Sequence, residues 1–385
     1  MHLIPLLCFA LSPIQIDGSF NDWAKGVTSQ EDSQFVYRLV LLPESACLQQ
    51  LPEQKVVELG EYTIFFSPKG KGYGVSCKKG DEWISTYDAG IVFAPATTST
   101  KFELRVNKPN VESPVYPFAL MPKGDLRVVS WNVQFGNLLQ MKERSARVLK
   151  ALQPDVLLIQ ELDGEDTSET LAKFLHDTFD GVWTVGVSPV SGTKKHHRLH
   201  SAIATRLNLF KSSIRPMSHS NDKPLKAVLA GIATQGGPVT FVSLHLRCCG
   251  GPTGEAEEQR QEEATSIRGV LDNVAAPRFI VAGDWNLVGT MKPLKIVQAD
   301  KLAIVDAYQP DGLLNATWSD TTSSFTPGRL DWMLYSPKTL TVVNSFVLDT
   351  ADLDGETLIA NDLLQEDTAE LSDHLPLVAD FRILK

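Results

Sequence analysis

The chain has 385 residues, a length that suggests two domains, and its 43% hydrophobic and 21% charged residues exclude wholesale disorder, a collagen repeat and a coiled coil. The net charge of −10 is shared by both parts of the chain, so neither has the basic balance of a protein that grips nucleic acid by charge alone. Acidity leaves a metal-dependent phosphoester enzyme open, because a bound cation brings its own positive charge.

Met1 to Ser12 (MHLIPLLCFALS) resembles a short secretory signal, with an apolar stretch from Leu3 to Leu11 and Ala10 as a small residue for cleavage. The expectation is export to a periplasmic or extracellular space; a buried first strand in a cytoplasmic protein is the alternative. From residue 13 to 106 the chain reads as short alternating stretches, Phe35–Leu42, Tyr62–Ser67, Gly74–Cys77, Gly90–Ala94 and Lys101–Val106, separated by Gly, Pro and Ser turns. That texture predicts a small all-β sandwich. Cys47 and Cys77 both fall in it and could pair in an oxidising compartment; free buried thiols are the alternative. For the adjacent Cys248 and Cys249 free buried thiols are the preferred reading, since adjacent cysteines rarely bridge.

Residues 107–124 carry Pro109, Pro114, Pro117 and Pro122, which predicts an extended connector. After Asp125 the texture changes. Strands are expected at Leu126–Val133, Asp155–Gln160, Ser201–Ala204, Ala227–Ala233, Thr240–His245, Arg278–Ala282, Leu330–Tyr335, Leu340–Leu348 and Leu375–Phe381. Helical spacing marks Lys142–Leu152, Ser168–Thr178 and the polar Glu255–Asn273. Helices lie between some strands and hairpin-like runs between others, so the 125–385 domain should be α/β with mixed sheets. No run is long and apolar enough for a membrane span.

Polar residues sit where apolar runs stop: Asn132, Glu161, His245, Asp284 with Asn286, Asp331, and Asp373 with His374. One such residue is a turn former or cap; so many are harder to explain as turns, and strand ends are where α/β domains gather their sites. Carboxylates with an amide suit a hard cation such as Mg²⁺, with Mn²⁺ as its substitute, and no Cys/His cluster favours zinc. A His beside carboxylates can be oriented by one of them and activate water or stabilise a phosphorus centre. The run Lys194-Lys195-His196-His197-Arg198 is the one dense basic stretch, read either as a clamp for substrate phosphate or as a solvated loop. Glu255–Arg268 reads as a solvated helix face.

Taken in order, Ser130-Trp131-Asn132-Val133, Ile159-Gln160-Glu161, Ser243-Leu244-His245-Leu246, Gly283-Asp284-Trp285-Asn286, Arg329-Leu330-Asp331-Trp332 and Ser372-Asp373-His374-Leu375-Pro376 resemble the motifs of the endonuclease/exonuclease/phosphatase superfamily. The resemblance spans Asp125–Lys385. It implies a DNase-like four-layer sandwich, two mixed β-sheets face to face with helices outside, and Mg²⁺-dependent hydrolysis of a phosphoester, a nucleic acid or a small phosphodiester. By position it implies Glu161 as the principal metal ligand with Asn132 and Asp373 beside it. Asp284 would orient or deprotonate the attacking water, and Asn286 would hold that water or a phosphate oxygen. His374 would contact the phosphate with its ring fixed by Asp331, and His245 would be a second His there. Lys194, Lys195 and Arg198 would contact substrate. The competing expectation is a binding or scaffold protein that keeps the fold without activity; the filled motif positions disfavour it. Residues Ile16 to Trp23 resemble the opening of carbohydrate-binding sandwich modules, and Trp23 and Trp83 could stack on a glycan, although a Trp in a small sandwich is more often core and that is the preferred reading.

Overall fold

The computed structural model describes residues 14, 16, 20–42, 53–69, 72–84, 86, 89–93, 101–108, 118–191, 198–219, 223–250, 254–288, 290–310, 315–320 and 328–384. The candidate leader, Cys47, Lys194 and Lys195 lie outside the described residues.

The N-terminal part is a β domain of two four-stranded antiparallel sheets. One has the spatial order Ser29–Glu31, Phe35–Leu41, Lys101–Asn107, Val92–Phe93; the other runs Lys55–Leu59, Tyr62–Lys69, Gly72–Lys79, Glu82–Ile84. Ile64, Phe66, Phe102, Leu104 and Val106 fill a shared core between them. Cys77 is free and fully buried in that core, and burial pushes its thiol up to about 11. A second cluster joins Ile16, Trp23, Phe35 and Tyr37 to Tyr308 of the C-terminal domain, and Asn315 Nδ2 donates to the Ile16 carbonyl at 3.1 Å.

The C-terminal domain stacks a six-stranded sheet on a seven-stranded one. The first has the order Thr184–Val187, Leu199–Thr205, Val156–Asp163, Leu126–Asn132, Leu377–Ile383, Leu340–Val347. The second centres on Pro224–Thr234, Gly237–His245, Phe279–Asp284 and Asp331–Tyr335. Each sheet has one parallel pair at its heart, Leu126–Asn132 with Val156–Asp163 and Gly237–His245 with Phe279–Asp284, and antiparallel pairs around it. Each parallel pair needs a crossover, and the expected helices supply it: Lys142–Leu152 for the first, Glu255–Asp272 for the second.

Alternation along the strands sorts the side chains into layers. Val128, Leu158, Ile203, Val228, Phe241, Ile280, Met333 and Leu377 meet between the sheets. Val129, Trp131, Leu157 and Ile159 point outward under helix residues Leu149, Leu152, Leu171 and Leu175. Val242, Leu244, Val281 and Trp332 do the same under Ala264, Ile267 and Leu294. At the end of the six-stranded sheet far from the polar strand ends, buried Arg127 grips Asp380 with two bonds of 2.6 and 2.8 Å, and Asp380 also accepts from Asn344 and from the Lys123 amide. The Ala119 backbone pairs with the Asn344 amide in both directions, and the Phe118 ring lies 5.3 Å from Phe346. The described end of the proline-rich connector is therefore built into the C-terminal domain. No helix is long and apolar enough to cross a membrane among the described residues.

Candidate active site

The alternation that fills the inter-sheet core also delivers the polar residues. On Gly237–His245 the inward positions run Val239, Phe241, Ser243, His245; on Phe279–Asp284 they run Ile280, Ala282, Asp284. His245 lies opposite Asp284, and Asp284 opposite Asp331, so three ionisable residues stand side by side at one end of the sandwich. Asn132 ends the inward row of the facing sheet. Gly283 makes the closeness workable: a Cβ there would lie 1.9 Å from the Leu244 carbonyl oxygen, so only glycine lets the two strands pair at this level.

Glu161 breaks the alternation. Ile159 and Leu162 both face the outer core, so one extra residue is inserted, and the pairing with Leu199–Thr205 shifts between them. This β-bulge places Glu161 in the left-handed region at φ 58° and turns its carboxylate into the site. Gln134, Phe135 and Gly136 are left-handed as well. The conformation costs a non-glycine residue on the order of 1 kcal/mol, and local bonds offset it: Gln134 N to Asn132 Oδ1 at 3.0 Å, Phe135 N to Glu161 Oε2 at 3.3 Å, and Gly136 N to the Glu161 carbonyl at 2.8 Å. Oε1 of Glu161 is left facing His245 Nε2, 3.7 Å away.

Asp284 is the hub. Its Oδ1 accepts from the Asn286 amide at 2.9 Å, and its Oδ2 accepts from Asn286 Nδ2 at 2.9 Å and Asn132 Nδ2 at 3.0 Å. Burial pushes its carboxyl up, with the Asp331 and Glu161 charges helping and His374 opposing, to about 8. His374 follows Ser372, whose hydroxyl accepts from the His374 amide and donates to the Asn132 carbonyl. Trp131 Nε1 donates to the His374 carbonyl from the outer layer at 2.9 Å. The His374 ring meets Asp331 Oδ2 through Nδ1 at 2.7 Å, and its Nε2 lies 3.8 Å from Asp284 Oδ2. Burial pulls this imidazole down, but Asp331 and Asp284 outweigh it and hold it up at about 10. His245 goes the other way: burial, then the Lys226 and His374 charges, depress it well below the ordinary value. One histidine raised and one lowered thus flank the Asp284 carboxyl, environments pushed apart as in acid–base sites.

The remaining expected residues are placed as follows. Asn286 spends its side-chain N–H groups on Asp284 and on the Leu246 carbonyl at 3.2 Å, so the amide orients Asp284 and offers only Oδ1 to a ligand. Asp373 is half-buried and its Oδ2 accepts from Trp318 Nε1 at 2.9 Å; it belongs to neither acid–histidine group around Asp284, but its charge helps raise His374. Arg198 is exposed and 3.7 Å from Glu165. Trp23 is buried with its Nε1 donating to Glu103 at 2.7 Å, the core placement preferred for it over stacking on a sugar. Trp83 is 59% exposed, with Lys78 Nζ 4.7 Å from its ring centre. The helix Glu255–Asp272 is not a merely solvated face: Arg260 and Glu257 are buried, and Arg260 holds the carbonyls of Arg247 and Cys249. Cys248 and Cys249 are free, as expected, but exposed, which corrects the expectation that they are buried: the segment after His245 runs on as a surface loop.

Three further contributors lie outside the expected site residues. The Thr317 hydroxyl accepts from the amides of Leu330 and Asp331 at 3.0 and 2.9 Å and fixes the start of that strand. Ser243 and Gln160 bond across the two sheets at 3.0 Å, beneath the site. Alternation identifies Ser243 and Gln160 as inward; nothing local marks Thr317.

Glu161, His245 and Asp284 offer ligand atoms within 4.8 Å of one another, and so do Asp284, Asp331 and His374. His245 Nδ1 and Asp331 Oδ1 are buried with no hydrogen-bond partner among the described residues. Three carboxylates crowd this centre, and a divalent cation with oxygen ligands would relieve their repulsion. The donor set fits such an ion.

The Endonuclease/Exonuclease/phosphatase family pattern matches residues 129–374, spanning every one of these positions. The chain belongs to the endonuclease/exonuclease/phosphatase family. Solved structures with a similar chain course include a family protein from Leptotrichia buccalis, 15% identical, with 67% of this chain and 99% of that one covered at a TM-score of 0.49. The catalytic domain of human Nocturnin with bound sulfate is 21% identical, with 68% and 96% covered at a TM-score of 0.46. ANGEL2, a 2',3'-cyclic phosphatase, is 16% identical, with 71% and 99% covered at a TM-score of 0.47. No curated protein matches the chain.

Proposed function

We propose that the protein is a Mg²⁺-dependent phosphodiesterase whose substrate is a nucleic acid or a small soluble phosphodiester. The observation that carries this reading is the buried Asp331–His374–Asp284 array, with the Glu161 carboxylate facing its far side across His245. Glu161 Oε1 and Asn132 Oδ1 would hold the cation, with Asp373 Oδ1 as a further oxygen. The bound ion supplies charge neutralisation at the phosphoryl oxygens and a more acidic water.

The chain's own groups do the rest. Asp284 takes a proton from the attacking water as the water oxygen bonds phosphorus and the ester P–O bond breaks, the leaving alkoxide taking its proton from solvent; burial raises the proton affinity of the Asp284 carboxyl, which suits a base, and three hydrogen bonds fix its direction. His374, protonated, presents Nε2–H to a phosphoryl oxygen as negative charge builds there, while Asp331 holds Nδ1–H and the ring plane. His245 stays neutral and accepts or donates one hydrogen bond at the same phosphate.

The test is hydrolysis of bis-p-nitrophenyl phosphate by the purified full chain with Mg²⁺ or Mn²⁺, lost on adding EDTA. Failure to hydrolyse this ester, DNA, RNA and sphingomyelin with either ion would refute the reading. The apolar stretch Leu3–Leu11 supports export of the enzyme, checked by fractionating cells that express the full chain.

A further inference from the structure

The strand that ends in His245 runs on into a loop with two adjacent thiols, Cys248 and Cys249, both free and exposed. An extended dipeptide sends successive side chains to opposite sides. Here Cys249 is left-handed at φ 67°, Gly250 follows at φ 81°, and the two sulfurs meet in a hydrogen bond of 2.8 Å. The turn is held from the helix beneath it. Arg260 Nη1 donates to the carbonyls of Arg247 and Cys249 at 2.9 and 2.7 Å, and the Arg247 amide donates to Glu263 Oε2 at 2.8 Å. The bond to Cys248 favours a thiolate at Cys249, and the Arg247 and Arg260 charges add to it against partial desolvation and the Asp284 charge, bringing the thiol down to about 6. The same bond, then desolvation, push Cys248 up. An attacking thiol and a resolving thiol therefore stand in contact. The loop also begins on the active site: the Leu246 amide donates to the Asp284 carbonyl at 2.9 Å, and the Leu246 carbonyl accepts from Asn286 Nδ2 at 3.2 Å.

We propose that Cys248 and Cys249 are an oxidation site for small disulfides, closing to a vicinal disulfide that lowers turnover at Asp284. The Cys249 thiolate attacks one sulfur of the small disulfide, whose S–S bond breaks and releases one thiolate. Cys248 gives its proton to solvent and attacks Cys249 Sγ of the mixed disulfide, expelling the second thiolate. The pair loses two electrons and the small disulfide gains them. Adjacent Cα atoms across a trans peptide are about 3.8 Å apart, short of the ordinary disulfide range. The closed ring is therefore strained, opens again to a mild thiol, and pulls on a loop bonded to Arg260, Asp284 and Asn286.

The experiment incubates the full chain with oxidised glutathione and maps its peptides by mass. The peptide carrying Cys248 and Cys249 should lose two hydrogens without keeping glutathione and regain them in dithiothreitol, while the fully buried Cys77 stays a thiol. Cys248→Ser should instead retain glutathione on Cys249, and Cys249→Ser should react at least about tenfold more slowly. In the closed form kcat on bis-p-nitrophenyl phosphate should fall by about threefold or more and return in dithiothreitol; a chain with both cysteines changed to serine should keep its kcat in oxidised glutathione. A chain that keeps both thiols, or stops at the mixed disulfide, overturns the site. A closed ring with unchanged kcat overturns its hold on Asp284. Only the kcat comparison rests on the phosphodiesterase reading, and ring closure is read by mass, so failure of one is seen apart from failure of the other.

Discussion

Replacing Asp331 with Asn tests the central pair. The two side chains are nearly isosteric, so the strand and the Thr317 bonds to its amides should survive, while the charge facing His374 disappears. The wild-type imidazole is raised from 6.5 to about 10 against the pull of burial, and Asp331 is the largest favourable contributor. A shift of that size corresponds to roughly 3–5 kcal/mol of preference for the imidazolium, and both partners are buried, so solvent screens little of it. In Asp331→Asn burial should win and the ring should be neutral at neutral pH. A proton donor to the phosphoryl oxygen is then missing, and kcat should fall by about 10²–10⁴-fold with KM little changed.

The stability signature has a definite sign. A histidine raised on folding stabilises fully below its unfolded value near 6.5, and the stabilisation is lost as pH climbs through about 10. In EDTA the melting temperatures of wild type and Asp331→Asn should therefore differ most below pH 6.5 and converge above pH 10. The assays are kcat against pH on bis-p-nitrophenyl phosphate and calorimetric melting across the same range. A variant within about threefold of wild type at neutral pH, with a melting difference independent of pH, would refute the imidazolium and the role given to Asp331.

Glu161→Gln should weaken Mg²⁺ binding by at least about tenfold in titration calorimetry, since it removes the carboxylate that the bulge aims into the site; unchanged affinity would move the metal elsewhere. Asp284→Asn should lower kcat by orders of magnitude and leave KM nearly unchanged, whereas a loss through KM alone would make Asp284 a binding group. Gly136→Ala puts a Cβ at φ 81°, 2.9 Å from the Asp163 Cβ, and should disturb the turn that holds Glu161, so Mg²⁺ affinity should drop although no ligand is changed. A chain beginning at Phe118 should fold and turn over a small diester better than one beginning at Asp125, because residues 118–123 supply the Phe346 and Asn344 contacts and an amide to Asp380; equal melting temperatures would contradict this.

The layers were legible because the strands alternate. Val128 and Ile280 had to face one way and Val129 and Val281 the other, and the residues that end each inward row became the site. Short strands such as Thr184–Val187 and Arg215–Ser218 left too little pattern to read, and they are recruited by pairing with long neighbours. The polar helix Glu255–Asp272 was misjudged from its charge alone. Arg260 and Glu257 are buried as a pair 3.0 Å apart, and they also bond loop carbonyls and Thr290, groups that only the fold brings near. Trp23 is core, as a tryptophan in a small sandwich more often is, in a cluster with Ile16, Phe35 and Tyr37.

Glu161 marks where pattern reading stops and geometry takes over. Read by period two, it follows Leu157 and Ile159 to the outer face, under the helices and away from His245. A single inserted residue reverses that, and the strain of a left-handed glutamate is held by an amide from Phe135 and by a neighbouring turn with three left-handed residues in succession. The bonds that relieve the strain are made to the carboxylate and carbonyl of Glu161 itself and to the side chain of Asn132. The two proposed oxygen donors from the six-stranded sheet are therefore positioned by one turn, and the facing sheet supplies the acid–base groups by plain alternation. A substitution in that turn should change metal affinity before it changes the histidines, which separates the two halves of the site experimentally.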